Sequence, residues 1–332
     1  MSQAGEARRQ ATNLARRLGF DATQTGRASI VASELSTNLA KHATGGEMIL
    51  RPLAGGTFNL LEVLSLDRGP GIKDVGRCLA DGYSTEGSSG TGLGAVVRLS
   101  ACFDILTIPG VGTAILARLD QRRAPGFPTS WPEHGAVSVP ALGETENGDA
   151  WAIREAPRGR IIAVIDGLGH GPAAAIASRE AVKVFTNLTH PTPATVIGAC
   201  HRALADTRGA QMAVAEFDWV QNLVRFSGVG NVAATLVFPG GTKGMVSLNG
   251  TVGAEVRAIR EFIYPLPAGA GEGDALLVMH SDGLSSRWNL DGYPGLAARH
   301  PSLIAGVLYR DFGKRHDDVT VWVGRARGKA PK

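Results

Sequence analysis

The sequence predicts an α/β chain of two domains, and three observations carry that expectation. The length, 332 residues, suits roughly two domains, each large enough for its own core. Strand-like runs alternate with stretches of helical periodicity throughout. Residues 121–140 hold four prolines and little periodicity, and separate about 120 residues from about 190. The expected layout is a first domain over 1–120, a linker over 121–140, a second domain over 141–326 and a basic tail over 327–332.

The elements follow in order. Residues 7–18 are basic and amphipathic, a helix. Asp21 is placed to cap a longer helix that runs to His42, with Ile30, Val31, Leu35 and Leu39 as its apolar positions. Gly45-Gly46 ends it, and strand-like runs over 48–53 and 58–66 flank Gly55-Gly56. A loop and a Gly/Ser-rich stretch over 82–94 lead to a helix near 94–101 and two strands around 109–112. The second segment reads as strands at 149–155, 160–165, 211–218, 223–227, 233–238, 259–264, 275–280 and 319–323. Helices at 172–188, 193–208 and 301–312 interrupt them.

Composition removes several function classes. Hydrophobic residues make up 44% of the chain and charged residues 19%, which excludes a disordered chain. The 44 glycines, nearly twice the ordinary share, form no Gly-X-Y period, so collagen is excluded and the surplus needs local explanations. The formal net charge is +4, neither segment is strongly basic, and nucleic acid is not favoured as a partner. Three widely spaced cysteines give neither a disulfide framework nor zinc spacing and read as buried thiols. No apolar run is long enough to span a membrane and the first residues lack a signal-peptide core, so the expectation is a cytoplasmic protein with no membrane partner.

Three features stand in order in the first segment. Glu34, Asn38 and His42 share one helix face at i, i+4 and i+8. Asp67-Arg68-Gly69-Pro70-Gly71 follows a strand, and Gly90-Thr91-Gly92-Leu93-Gly94 opens a helix. Singly, each has a plain structural reading: a solvated helix face, a turn, and a helix cap or anion cradle. The glycine loop has no Gly-Lys-Ser/Thr, so it is not a Walker A loop, and no strand precedes it as a dinucleotide fingerprint requires.

As an ordered set, ending in Pro109-Gly110-Val111-Gly112-Thr113, these features resemble the GHKL (Bergerat-fold) ATP-binding domain over residues 5–120. Within that superfamily they are similar to the anti-sigma-factor serine kinases of the RsbT/RsbW type. The resemblance implies an α/β sandwich with helices on one face of a mixed sheet, and ATP with Mg²⁺ as cofactor. It implies that Asn38 holds Mg²⁺ and that Glu34 is the general base. Asp67 would accept the adenine amino proton, with Gly69 and Gly71 letting backbone approach the base. Gly90, Thr91, Gly92, Leu93 and Gly94 would cover the phosphates, and Thr113 would lie near the adenine. His42 reads as structural.

In the second segment the signals are carboxylates at strand ends beside glycines: Gly148-Asp149, Asp166-Gly167-Leu168-Gly169-His170-Gly171, Ser281-Asp282-Gly283 and His316-Asp317-Asp318. Gly228-Val229-Gly230-Asn231 lies among them. Any one Asp-Gly is ordinarily a turn, but acidic sites on several strands can converge into an oxygen-ligand site for Mg²⁺ or Mn²⁺. His280-Ser281-Asp282 is no catalytic triad, because consecutive strand residues point to opposite faces.

This set resembles the metal-dependent protein phosphatases (PPM family) over residues 135–325, in the SpoIIE-type, RsbX-like branch. The resemblance implies an α-β-β-α sandwich and two Mn²⁺ or Mg²⁺ ions, with a metal-activated water attacking phosphorus in line. Asp166 would bridge the metals, with Gly167 offering its carbonyl. Asp282 and Asp317 would bind the first metal, and Asp149 the second directly or through water. Asp317 is preferred to Asp318 because the family pattern has the first Asp as ligand. His170 stands two residues later than the acid histidine of eukaryotic members, and its role stays open. No basic residue matches the phosphate-binding arginine of those members, so substrate affinity is expected to rest on metals and partner surface.

Together the resemblances imply a bifunctional regulator of bacterial stress and sigma-factor signalling, a phosphatase fused to a serine kinase. Its partners would be phosphorylated STAS-domain proteins of the anti-sigma-antagonist or stressosome kind, with a sigma-regulating phosphatase or sigma factor beyond them. The alternative left open is a phosphatase whose first domain only senses nucleotide and binds a partner.

Overall fold

The computed structural model describes residues 3–55, 58–79, 92–121, 133–266 and 275–326. It divides into two compact units, the first made of Met1–Pro132 and Leu290–Arg310, the second of Glu133–Asn289 and Asp311–Lys332. The α/β class expected from the sequence is the class found.

In unit 1, helices α1 (Gln3–Arg17) and α2 (Ala22–His42) precede a hairpin of β1 (Glu47–Gly55) and β2 (Phe58–Leu66). Asp21 caps α2, its carboxylate accepting from the Gln24 amide at 2.7 Å. Short α3 (Val75–Leu79), then α4 (Gly92–Leu99), β3 (Cys102–Ile108) and β4 (Gly112–Asp120) complete the first stretch. The sheet runs β1-β2-β4-β3. The sequence predicts a mixed sheet, but every pairing among these strands is antiparallel, within the two hairpins and where β2 meets β4.

Alternation along β2 decides what each face carries. Leu61 and Val63 join Ile115, Ala117 and Leu119 of β4 under α1, α2 and α4, in one cluster with Ala15, Val31, Leu35 and Val96. The opposite face was expected to be bare of helices, but α7 (Pro301–Phe312), read by its pattern with the second segment, lies against it up to Arg310. A side chain at Gly306 would come within 3.0 Å of Leu66. On that face Arg51, Glu62 and Arg118 are direct cross-strand neighbours. Glu62 accepts from Arg51 at 2.5 Å, from Arg118 Nε at 2.8 Å and from Ser302 Oγ at 2.8 Å. Ser302 Oγ in turn accepts from Arg118 Nη2 at 2.9 Å. Burial raises the pKa of Glu62, but the two guanidinium charges and these bonds outweigh it and hold the carboxyl down to about 2.

In unit 2, β5 (His134–Val139), β10 (Ala233–Phe238), β11 (Gly241–Gly244), β13 (Leu276–His280) and β14 (Val319–Arg325) form one sheet in the order β11-β10-β13-β14-β5. The other holds β6 (Asp149–Ala156), β7 (Gly159–Gly167), β8 (Ala210–Asp218), β9 (Leu223–Val229) and β12 (Phe262–Pro265), in the order β12-β9-β8-β7-β6. Val164, Phe217 and Phe226 of one sheet share a buried cluster with Leu236, Met279 and Trp322 of the other. Ile161, Ile165 and Val214 point the other way, into a cluster with Phe185 of α5 (Pro172–Asn187) and Ile197 and Cys200 of α6 (Pro193–Ala203).

Two differences from the sequence reading matter here. Strand β5 lies inside the stretch read as linker, pairing with β14 from Val139↔Val319 to His134↔Gly324. Helix α6, read as running to Arg208, ends at Ala203, five residues earlier in a loop that Gly209 closes with φ +80°. Cys200 is buried as expected, whereas Cys78 and Cys102 are half-buried. Among the described residues no helix is long and apolar enough to cross a membrane.

Candidate functional site

In unit 1, Glu34 and Asn38 are half-buried on successive turns of α2, and His42 is exposed at its end. Leu35 of α2 shares a buried cluster with Leu93 and Val96 of α4, so the helix that Gly92, Leu93 and Gly94 open stands beside the Glu34–Asn38 helix. Gly90 and Thr91 lie outside the described residues. Asp67, Gly69, Gly71 and Thr113 come together at the sheet end. Asp67 Oδ1 accepts from the Gly69 amide at 2.7 Å and the Thr113 amide at 3.3 Å, and the Asp67 amide donates to the Thr113 carbonyl at 2.9 Å. Ile72 N donates to Thr107 Oγ1 at 2.7 Å, and Thr107 Oγ1 lies 3.0 Å from Thr113 Oγ1. At Gly112 (φ +137°) a Cβ would stand 2.0 Å from the Asp67 carbonyl oxygen, so only glycine lets β4 approach the loop this closely. That carbonyl also accepts from Arg310 Nη1 at 2.8 Å. The arrangement fixes one carboxylate oxygen through backbone donors, and among the described residues Asp67 Oδ2 takes no hydrogen bond.

In unit 2 the acidic residues gather at one end of the two sheets. Asp149 and Asp166 are direct partners across β6 and β7, and Asp166 also sits opposite Gln211 of β8. Gly167 donates to the Gly148 carbonyl at 3.2 Å, and the first turn of α5 packs against it. Asp282 follows β13 and makes hydrogen-bonding contact with Asp317 of the loop before β14. Burial drives the pKa of Asp166 well above the ordinary carboxylate range, and the charges of Asp149, Asp282 and Asp317 push it further the same way. Asp149 is raised by burial and by Asp318 and Asp317, against the bond from Ser281.

Asp317 and Asp318 differ in employment. Asp318 is buried, accepting from the Ala141 amide at 2.8 Å and the Gly148 amide at 2.9 Å. Asp317 is half-buried and accepts the Asp318 amide at 3.0 Å. His170 is exposed and bound to Glu144 at 2.7 Å, on the outside of the loop that Asp166 begins.

The donor set is all oxygen and carries several negative charges facing one another, which is the chemistry Mg²⁺ or Mn²⁺ requires. As they stand, no three His, Cys, Asp or Glu side chains among the described residues close around a single ion point. Like charges repel, and neighbours hold two of the carboxylates aside: Asp149 Oδ2 accepts from Ser281 Oγ at 2.6 Å, and Asp282 Oδ2 from Asn231 Nδ2 at 2.5 Å. The fit is therefore one of donor type and missing positive charge.

Sequence reasoning did not assign Ser281, Asn231, Lys314 or Arg208 a part here. Ser281 and Asn231 lay within the quoted motifs, beside glycines. Lys314 donates to the Asp282 carbonyl at 2.5 Å. Arg208, where the periodicity predicts the end of a helix, lies instead beside Gly169, in a Thr-Arg-Gly stretch directly before a strand.

Comparison with known proteins follows the same division. A family model described as Stage II sporulation protein E (SpoIIE) matches residues 157–327, a span that holds Asp166, Asp282 and Asp317. Serine/threonine-protein kinase RsbT of Bacillus subtilis (strain 168) is 35% identical over 111 residues, 33% of this chain and 84% of that protein. A solved structure described as "The bacterial stressosome: a modular system that has been adapted to control secondary messenger signaling" aligns at 27% identity with a TM-score of 0.52, covering 58% of this chain and 98% of that one. RsbX in complex with magnesium aligns at 21% identity with a TM-score of 0.47, over 57% of this chain and 92% of its own.

Proposed function

The chain belongs to the SpoIIE family, with an RsbT-related segment ahead of it, and from that premise we propose a metal-dependent serine/threonine protein phosphatase joined to an ATP-binding serine kinase. The observation that carries the phosphatase reading is the meeting of Asp149, Asp166, Asp282 and Asp317 at one sheet end, with burial and mutual repulsion raising Asp166. Asp166 and Asp149 would hold the divalent ions from the strands, Asp282 and Asp317 from the loops, with the Gly167 carbonyl alongside. When bound, the ions supply an activated water and neutralise phosphate oxygens. Asp318 ties the Ala141 and Gly148 backbone to the Asp317 loop, and Ser281 and Asn231 orient Asp149 and Asp282. The proposed substrates are phosphorylated STAS-domain proteins of stress signalling, and the compartment the cytoplasm.

In unit 1 we assign Asn38 to Mg²⁺, Glu34 to the proton of the attacking hydroxyl, and Asp67 with Gly69, Gly71 and Thr113 to the adenine. Gly90, Thr91, Gly92, Leu93 and Gly94 would cover the phosphates. The likeness to the RsbT kinase supports transfer of phosphate. The alternative reading of unit 1 is nucleotide sensing and partner binding without transfer.

Phosphate release from a phosphorylated STAS-domain protein tests the first reading. Activity that needs Mn²⁺ or Mg²⁺ and vanishes in Asp282→Asn is expected; full turnover by that variant would overturn the assignment. Labelled ATP and an unphosphorylated STAS-domain protein separate the two readings of unit 1. Phosphoserine on the partner supports the kinase, and tight binding without transfer supports the sensor.

A further inference from the structure

We infer that Arg208 is the phosphate-gripping residue of unit 2, a role that rests on the phosphatase reading above. Its position is built by backbone. The loop after α6 is held by Thr207, whose amide and Oγ1 both donate to the Leu204 carbonyl at 2.9 and 2.8 Å, and whose Oγ1 accepts the Gly209 amide at 3.0 Å. The Gly209 carbonyl accepts from the Leu168 amide at 3.1 Å, inside the Asp166–Gly171 loop. Directly afterwards Ala210 and Gln211 pair with Gly167 and Asp166. Ala210 also exchanges both backbone bonds with Val252, at 2.9 and 2.8 Å. The Arg208 backbone is thus pinned to the loop that carries the central aspartate.

The side chain turns toward that loop. Arg208 Nη1 lies 3.2 Å from the point a Cβ at Gly169 would occupy, so the missing side chain at Gly169 makes room for the guanidinium. Three other basic groups near the site are engaged. His170 is bound to Glu144, Arg179 to Glu146 at 2.5 Å, and Lys314 to the Asp282 carbonyl. Arg208 is exposed and makes no hydrogen bond or ion pair among the described residues. Among the described residues the site's carboxylates do not engage it. Here Asp318, Asp149 and Asp282 take their bonds from backbone amides, Ser281 and Asn231 instead. What remains is an exposed planar fork of five donors beside Gly169, on the loop that Asp166 begins, a geometry that matches two oxygens of a phosphate monoester. A phosphate brought to the aspartates by divalent ions would present its remaining oxygens to this fork.

The test uses the full chain loaded with Mn²⁺, with Arg208→Ala, Arg208→Lys and, as a control of equal charge change on α6, Arg202→Ala. Arg208→Ala is expected to raise KM for a phosphorylated STAS-domain protein and for p-nitrophenyl phosphate roughly 10- to 100-fold, with a smaller change in kcat. The dissociation constant for inorganic phosphate, measured by calorimetry, should rise in step. Arg208→Lys should fall between, since it keeps the charge and loses the fork, and Arg202→Ala should match the unaltered chain. Hydrolysis with unchanged KM and unchanged phosphate affinity in Arg208→Ala overturns the inference alone. No Mn²⁺-dependent hydrolysis by the unaltered chain overturns the phosphatase reading and this inference with it.

Discussion

Glu62 in unit 1 and Asp166 in unit 2 are carboxylates on central strands, and their surroundings push them in opposite directions. Glu62 lies between Arg51 and Arg118 across three strands, with Ser302 closing the group, and its pKa is held down to about 2 despite burial. Asp166 lies opposite Asp149 and within reach of Asp282 and Asp317, and its pKa is driven up by burial and by those charges. The first carboxylate has every charge answered inside the fold and serves the fold. The second faces more negative charge than its neighbours answer, which is a cost a folded protein carries where a ligand supplies the difference. Compensation separates a structural buried charge from a functional one more sharply than burial does.

The comparison can be broken most directly at Asp166. Asp166→Asn is expected to remove Mn²⁺-dependent phosphate release, by roughly 10²–10³-fold or more, because one metal oxygen is lost from the transition state. Above about pH 8, where Asp166 carries its charge, the same variant should melt higher than the parent without added metal, since one repelling charge has gone. A lower metal-free melting temperature would contradict the charge account.

Glu62→Gln should act the other way and destabilise the protein by ~3–5 kcal/mol in denaturant titration, by leaving Arg118 buried without its counter-charge. Acid makes the same test without a mutation. Glu62 titrates lower folded than unfolded, so its stabilisation, ~3 kcal/mol, is complete above about pH 4.5 and fades as the pH falls toward 2. Stability measured against pH should lose that component in Glu62→Gln. Gly112→Ala, which sets a Cβ against the Asp67 carbonyl, should cost ~1–3 kcal/mol and weaken ATP binding, read by equilibrium dialysis. Ser302→Ala should cost about 1 kcal/mol, the scale of a lost buried hydrogen bond.

Much of this was legible in the chain. The Asp21 cap, strand 233–238 and helix 301–312 came through because a polar cap, alternation and a 3.6-residue period are local signals. Strand β5 was hidden because Gly135, Ala136 and Ser138 are poor strand formers among prolines, and β11 because Gly-Thr-Lys-Gly offers no apolar residue. The aspartates at strand ends were visible beside their glycines. The groups that orient or answer them were not, because Ser281, Asn231, Lys314 and Arg208 acquire their parts only through pairings far apart in sequence, such as Gly167 with Ala210. For the same reason nothing local announced that Glu62 would meet Ser302, 240 positions away.

That last distance has a consequence for how the molecule is made. A ribosome delivers β1, β2 and β4 early and α7 only after residues 133–289 of the second unit. Until then the sheet face bearing Leu64, Leu66 and the Arg51–Glu62–Arg118 row lacks its helix. The nascent first unit must wait, half-clothed, through the synthesis of nearly the whole second unit. A gene cut after residue 121 would encode that waiting state as its final product. The two activities proposed for this chain could not have been shuffled apart by a simple cut between them without one recruiting a new cover for its sheet.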